Sequence, residues 1–262
     1  MERNVFITGG SRGIGAAAVL AFARAGYNAA FTYNAHPEAA EAVLQQAAQS
    51  AQGGRFLAIQ ADAGDSAQVQ SAVEQAEREL GSLQALVCNA GIAQVKLFTD
   101  TTDEDWHRMM AVDLDGAFYA CRAVLPGMIH RKYGRILLVS SMWGQTGGSC
   151  EVAYSAAKAG LIGLGKALAK EEGPSGITVN IIAPGVIDTD MMASFTAEDR
   201  AALAEETPVE RLGTAEEIAR TMVFLADEAS GYITDLQLGG AWGRERGCTA
   251  VVGGSITLDG GY

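Results

Sequence analysis

Three side chains in the middle of this sequence have the types and spacing of a proton-transfer site: Ser141, Tyr154 and Lys158. Tyr154 and Lys158 stand four apart. The run that follows (Ala159, Leu161, Ile162, Leu164, Ala167, Leu168) has helical spacing, which puts the phenol and the ammonium on one face of one helix. An unperturbed tyrosine loses its proton at about pH 10, and a nearby cation favours the phenolate, so Lys158 draws Tyr154 toward use as a general acid or base. Ser141 follows the apolar run Ile136-Leu137-Leu138-Val139, which reads as a buried strand. At that strand's C-terminal end its hydroxyl can meet a helix residue across a short loop and donate to a substrate oxygen. A Tyr/Lys pair at this spacing also arises by chance in helices, so the surrounding elements must carry the assignment.

Those elements alternate between strand and helix. Val5-Phe6-Ile7 opens the series, followed by Thr8-Gly9-Gly10-Ser11-Arg12-Gly13-Ile14-Gly15 and a helix through Ala16, Val19, Leu20, Phe22 and Ala23 to Gly26. Glycines at 9, 13 and 15 permit a tight turn, a close approach of backbone N–H groups to a pyrophosphate, and close packing of helix on sheet. The second strand, Asn28 to Tyr33, leads to Asn34; with Thr32 and Tyr33 it offers no carboxylate for a ribose, while Arg12 lies in the glycine turn. That combination predicts NADP rather than NAD, although Arg12 also reads as a solvated loop residue. A helix over about Pro37 to Ser50 precedes a strand from Phe56 to Ala61, closed by Asp62. Asp62 either accepts a hydrogen bond from an adenine amino group or caps the helix that starts after Asp65 and Ser66.

The fourth strand, Leu83 to Cys88, ends in the small residues Asn89-Ala90-Gly91, which leave room for a cofactor at the sheet crevice. A helical stretch over about Thr102 to Arg131 contains Asp113 and a mid-helix Gly116, a mark of a kink or of close packing. The long helix bearing Lys158 runs to Gly173, and a sixth strand covers Ile177 to Ile182. Pro184-Gly185 then turns the chain toward Thr189, placed to meet cofactor phosphate or amide. The segment on to about Leu212 reads as a substrate lid, with a helix over about Ala215 to Ala226 and a last strand at Ser255 to Leu258. The series predicts a single α/β domain with a doubly wound, Rossmann-type parallel sheet of about seven strands.

Composition narrows the partners. Of 262 residues 48% are hydrophobic and 19% charged, with no apolar run long enough to span a bilayer. A strand begins almost at once, with no basic and apolar leader before it, so the expected compartment is the cytoplasm. A formal charge of −12 and the lack of basic tracts argue against nucleic acid. Cys88, Cys121, Cys150 and Cys248 have neither metal-type nor redox-type spacing, and no metal is expected.

Taken together, the sequence resembles the short-chain dehydrogenase/reductases over nearly its whole length. The resemblance rests on Thr8-Gly9-x-x-x-Gly13-x-Gly15, Asn89-Ala90-Gly91, Ser141, Tyr154-x-x-x-Lys158, Pro184-Gly185 and Thr189. Runs 176–180 and 211–219 are most similar to bacterial 3-oxoacyl-[acyl-carrier-protein] reductases. The resemblance implies a ketone reduced by nicotinamide hydride, with Tyr154 giving the proton, Ser141 holding the carbonyl oxygen, and Lys158 assisting Tyr154 and binding the nicotinamide ribose. It also implies cofactor contacts from Ser11, Ile14, Tyr33, Asn34, Ala63 and Ile187, and assembly as a homotetramer or homodimer.

Three departures stand out. Asp113 occupies the place of a catalytic Asn, where its carboxylate could pair with Lys158 and alter activity without abolishing it. Asp235 to about Val252 separates Tyr232-Ile233-Thr234 from the expected last strand, an insertion that reads as a disordered surface loop, or else as a changed subunit interface or a flap over a neighbouring site. Arg131, Lys132 and Arg135 offer a basic cluster for an acidic acyl carrier protein, but Ser175 sits where another Arg is often seen. The flanks Met142-Trp143-Gly144 and Ser149-Cys150-Glu151-Val152 also resemble those of reductases for a 5-aminopentanone group on elongation factor P. Two further readings stay open: an NAD(P)-dependent dehydrogenase oxidising an alcohol, and an inactive nucleotide-binding scaffold.

Overall fold

A computed structural model describes residues 3–51, 53–193 and 195–239. Its main strands are β1 (Asn4–Thr8), β2 (Asn28–Tyr33), β3 (Phe56–Gln60), β4 (Ala85–Cys88), β5 (Gly134–Val139), β6 (Ile177–Ala183) and, beyond a separate short pair, β9 (Gln237–Gly239). These seven form one parallel sheet in the order β3-β2-β1-β4-β5-β6-β9. Chain order reverses between β1 and β4, which opens a crevice at their C-terminal ends, where ligands bind in sheets of this kind.

Period-2 alternation along the strands divides the core. Val5, Ile7, Phe31, Val87, Leu137 and Val139 face one layer, made by α1 (Gly13–Arg24), α2 (Pro37–Ser50) and α9 (Ala215–Ala226). Phe6, Leu86, Ile136, Leu138 and Val179 face the other, made by α3 (Ser66–Leu80), α5 (Gly116–Arg131) and α7 (Val152–Glu172). Strands buried on both faces explain the nearly unbroken apolar runs in the sequence.

The stretch expected as one helix over about Thr102 to Arg131 is α4 (Asp103–Met110), a π-helical turn (Ala111–Asp115) and α5. Gly116 marks close packing: a Cβ there would lie 2.6 Å from the Ala63 carbonyl oxygen. Short α6 (Trp143–Thr146) precedes α7. The expected lid contains α8 (Ala197–Glu206), started by a capping box between Thr196 and Asp199. A two-stranded parallel pair, β7 (Ile187–Asp188) with β8 (Gly213–Thr214), brackets that segment.

The seventh strand of the sheet differs from the expectation. β9 lies within the stretch read as an insertion, and Ser255 to Leu258 fall outside the described residues. Asn180 accounts for the docking: wholly buried, it donates to the Ile233 carbonyl and accepts from the Leu236 N–H, while Asp235 N–H donates to the Val179 carbonyl. The edge is therefore fixed immediately after Thr234. Among the described residues no helix is long and apolar enough to cross a membrane, and no group of ligating side chains could hold a metal ion.

Candidate active site

At the crevice the glycine turn is held from both sides. Gly9 N–H donates to Thr32 Oγ1 and Gly10 N–H to the Thr32 carbonyl. Gly9 has φ +67° and Gly13 φ +52°, conformations that disfavour a side chain. A Cβ at Gly15 would collide with the Gly9 carbonyl oxygen, so the turn closes only without one. Thr189 touches the same turn, with its Cβ 3.5 Å from where a Gly13 side chain would start. The loop that leaves β6 through Pro184, Gly185 and Ile187 therefore reaches the glycine turn at Thr189.

Thr8 links this turn to the end of β4, a role that sequence reasoning missed. Its Oγ1 accepts from the N–H groups of Asn89 and Ala90, each at 3.0 Å, and Asn89 Nδ2 returns a bond to the Gly9 carbonyl. The one signal for it in the sequence is Thr8's place at the head of the glycine motif.

Asp62 is not a helix cap. Asp65 caps α3, accepting from the N–H groups of Ala67 and Gln68. Asp62 instead accepts from Gly64 N–H and from Arg108 Nη1 at 2.8 Å. Partial burial works against its ionisation, yet the bonds from Arg108 and Gly64 outweigh that and hold the carboxyl below the usual range. Tyr33 is half-buried, and Arg12 and Asn34 are exposed, at the same end of the sheet.

Ser140 and Ser141 follow β5 and divide the work. Ser140 Oγ donates to the Lys158 carbonyl at 2.7 Å and is buried, which pins α7 to the sheet. Ser141 Oγ accepts from the Trp143 N–H at 3.2 Å. Gly144 lets the pieces close up, since a Cβ there would lie 2.7 Å from the Lys158 carbonyl carbon.

Tyr154 and Lys158 lie one turn apart on α7, with Lys158 Nζ 5.5 Å from the Tyr154 ring centroid. Nζ donates to the Val139 carbonyl at 3.1 Å and stands 3.2 Å from Asp113 Oδ2. Asp113 comes from the π-helical turn, its other oxygen accepting from Ile92 N–H at 2.8 Å. Side-chain exposure is 5% for Lys158 and zero for Asp113, so this is a buried ion pair. Burial pushes the Asp113 carboxyl above the ordinary carboxylate range, against the pull of Lys158 and Ile92 N–H. Burial also opposes the Lys158 charge, yet attraction to Asp113 and Tyr154 outweighs it and holds the ammonium above an ordinary lysine. Both oxygens of Asp113 face donors, the arrangement that suits a carboxylate.

A model of the short chain dehydrogenase family matches residues 3–200. The chain belongs to the short-chain dehydrogenase family. This short-chain dehydrogenase is 38% identical over 248 residues to the uncharacterized oxidoreductase YmfI of Bacillus subtilis strain 168, covering 92% of this chain and 99% of that one. It is 36% identical over 234 residues to the 3-oxoacyl-[acyl-carrier-protein] reductase FabG of Staphylococcus aureus strain Mu50, with 89% and 94% covered. A solved mutant of a Serratia marcescens short-chain dehydrogenase/reductase superposes with a TM-score of 0.84 at 36% identity, covering 90% of this chain and 95% of that one. The protein is an NAD(P)-dependent oxidoreductase acting on hydroxyl or ketone groups.

The basic cluster is a correction. Arg131 donates to the Leu83 carbonyl, and Arg135 is 4% exposed, stacked on Tyr133 and bonded to the Gly134 carbonyl. Both lie at the N-terminal end of β5, a strand's length of about 20 Å from Ser141. Within one chain, the cluster is not at the mouth of this site.

Proposed function

We propose that this short-chain dehydrogenase reduces a ketone, a 3-oxoacyl thioester or similar carbonyl, to a secondary alcohol with NADPH. The residues present fit such a cofactor. The N-terminus of α1 carries no side-chain cap and no acidic residue in its first turn, so its leading N–H groups suit a pyrophosphate. Gly9, Ser11, Arg12, Gly13, Ile14 and Gly15 would hold that group. Tyr33, Asn34, Asp62 and Ala63 would hold the adenosine half; Asn89, Ala90, Gly91, Pro184, Gly185, Ile187 and Thr189 would hold the nicotinamide half. Exposed Arg12, with no carboxylate at the end of β2, supports NADPH over NADH.

The bound cofactor supplies hydride to the carbonyl carbon. Ser141 Oγ donates to the carbonyl oxygen and steadies the charge that develops there. Tyr154 passes its phenolic proton to that oxygen, completing the alcohol. Lys158 favours loss of that proton and has a donor left for the nicotinamide ribose. Support comes above all from one observation: Lys158, one turn from Tyr154, is anchored by Val139 and Asp113 at the C-terminal end of the sheet.

The similarity to reductases named for acyl carrier protein supports a thioester substrate and docking of that carrier. Exposed Phe118, Phe224 and Tyr232 support assembly as a homodimer or homotetramer. The test is consumption of NADPH and of NADH with an acetoacetyl thioester, small diketones and sterol-type ketones. Turnover of the thioester with NADPH is expected; turnover of none of them with either cofactor would overturn the reading.

A further inference from the structure

We propose that Asp113 is a positioning residue that acts through Lys158: it clamps the ammonium and, by setting a negative charge against it, extends to higher pH the range in which Tyr154 keeps the proton it donates. This rests on the reading of Tyr154 as the proton donor.

The geometry is that of a clamp with one fixed end. Ile92 N–H holds Oδ1, the π-helical turn fixes the backbone, and Oδ2 faces Nζ at 3.2 Å. Gly91 closes over the pair, since any side chain there would begin 2.7 Å from Oδ2. Oδ2 is buried and faces Nζ as its ion-pair partner, so the charge on each group is what the other meets. An amide of the same shape would keep the Ile92 contact through its oxygen and lose the charge.

The other charged and titratable groups around the pair do not duplicate this role. Cys88 from β4 lies near Lys158, but its thiol is kept neutral by its bond with Cys121 and by burial. Arg108 from α4 acts on Asp113 at longer range and already pairs with Asp62. Glu151, at the start of α7 itself, is half-buried with its carboxyl pushed up by burial, and Trp143 bonds to it. Among the described residues, Asp113 is the carboxylate in ion-pair contact with Lys158. At 3.2 Å in a buried setting Asp113 acts on the Lys158 ammonium directly, and it reaches Tyr154 only through that ammonium, which stands 5.5 Å from the Tyr154 ring centroid.

The experiment is Asp113→Asn, with kcat/KM for ketone reduction and for oxidation of the product alcohol followed from pH 5 to pH 11. Cofactor is kept saturating so that binding supports the fold, and circular dichroism verifies it. The acid limb of oxidation and the alkaline limb of reduction are both expected to move down by about one pH unit. Limbs that superimpose on those of the parent would overturn the proposal. Should the amide variant not fold, the same limbs are read in Asp113→Ser. Tyr154→Phe separates the two readings: if it retains turnover, the proton-donor assignment fails. If Tyr154→Phe is inactive while the Asp113→Asn limbs do not move, the role of Asp113 alone is refuted.

Discussion

Gly91 and Asp113 compete for one space: a Cβ on Gly91 would lie 2.7 Å from Asp113 Oδ2 and 3.2 Å from Lys158 Nζ. The glycine at the end of β4 therefore does more than leave room for a cofactor. It lets the chain pass over a buried ion pair. Because packed interiors yield little, Gly91→Ala should displace the pair rather than the strand. Its kcat is expected to fall about tenfold or more, a loss of about 1.4 kcal/mol in transition-state stabilisation. Far-ultraviolet circular dichroism should stay that of the parent. Unchanged turnover would show that the placement of Lys158 tolerates displacement.

Adjacent serines separate structure from chemistry. Ser141→Ala removes the hydroxyl proposed to donate to the carbonyl oxygen, and kcat should drop by about a hundredfold with little change in cofactor affinity. Ser140→Ala removes the side-chain donor from the buried Lys158 carbonyl, which keeps its bond within α7, and should cost about 0.5–1.5 kcal/mol of stability, read as a lower thermal midpoint. If the two variants showed the same pattern of losses, that division of roles would be wrong.

Much of this site could be read from the sequence because its parts are local. The glycine turn follows a strand and starts a helix, and Tyr154 and Lys158 share one helix, so periodicity alone brings them together. What escaped is carried by contacts distant in sequence. The Val139 carbonyl under Lys158, the Thr8 hydroxyl under Asn89 and Ala90, and the Ile92 N–H on Asp113 exist only once helices and loops are packed on the paired strands. The basic cluster misled for the opposite reason. Arg131 and Arg135 look like surface charges in sequence, but the parallel sheet sets them at the end opposite Ser141. The edge strand was missed because Gln237–Gly239 is short and its docking depends on Asn180.

Arg12 offers a test of cofactor choice. It is exposed beside the glycine turn, and an arginine bonded to a 2′-phosphate contributes about 1.5–3 kcal/mol per charged hydrogen bond. Arg12→Ala should raise the KM for NADPH by about tenfold or more and leave that for NADH nearly unchanged. Equal effects on both cofactors would make Arg12 a general phosphate contact and remove the argument for NADPH.

The last prediction concerns the cap that secures the Thr189 loop. Thr214 and Glu217 form a capping box at the start of α9, with Glu217 Oε2 accepting from Thr214 N–H at 2.9 Å and Arg211 bonding the same carboxylate. Thr214 also belongs to β8, whose partner β7 leads directly into Thr189. These bonds, that to Arg211 foremost, lower the Glu217 carboxyl to about 2. A depressed acid stabilises the fold above its unfolded value of about 4.3 and loses that contribution as pH falls toward 2. Glu217→Gln should therefore lower the thermal midpoint at pH 7, and the difference from the parent should shrink between about pH 4 and pH 2. Thr214→Ala, which removes the other half of the box, should cost about 1 kcal/mol, or about 2–4 °C in a chain of this size. Because both changes loosen the β7 and β8 pair, the KM for NADPH should rise with them. A pH-independent difference for Glu217→Gln would show that the carboxylate's charge takes no part in holding this loop.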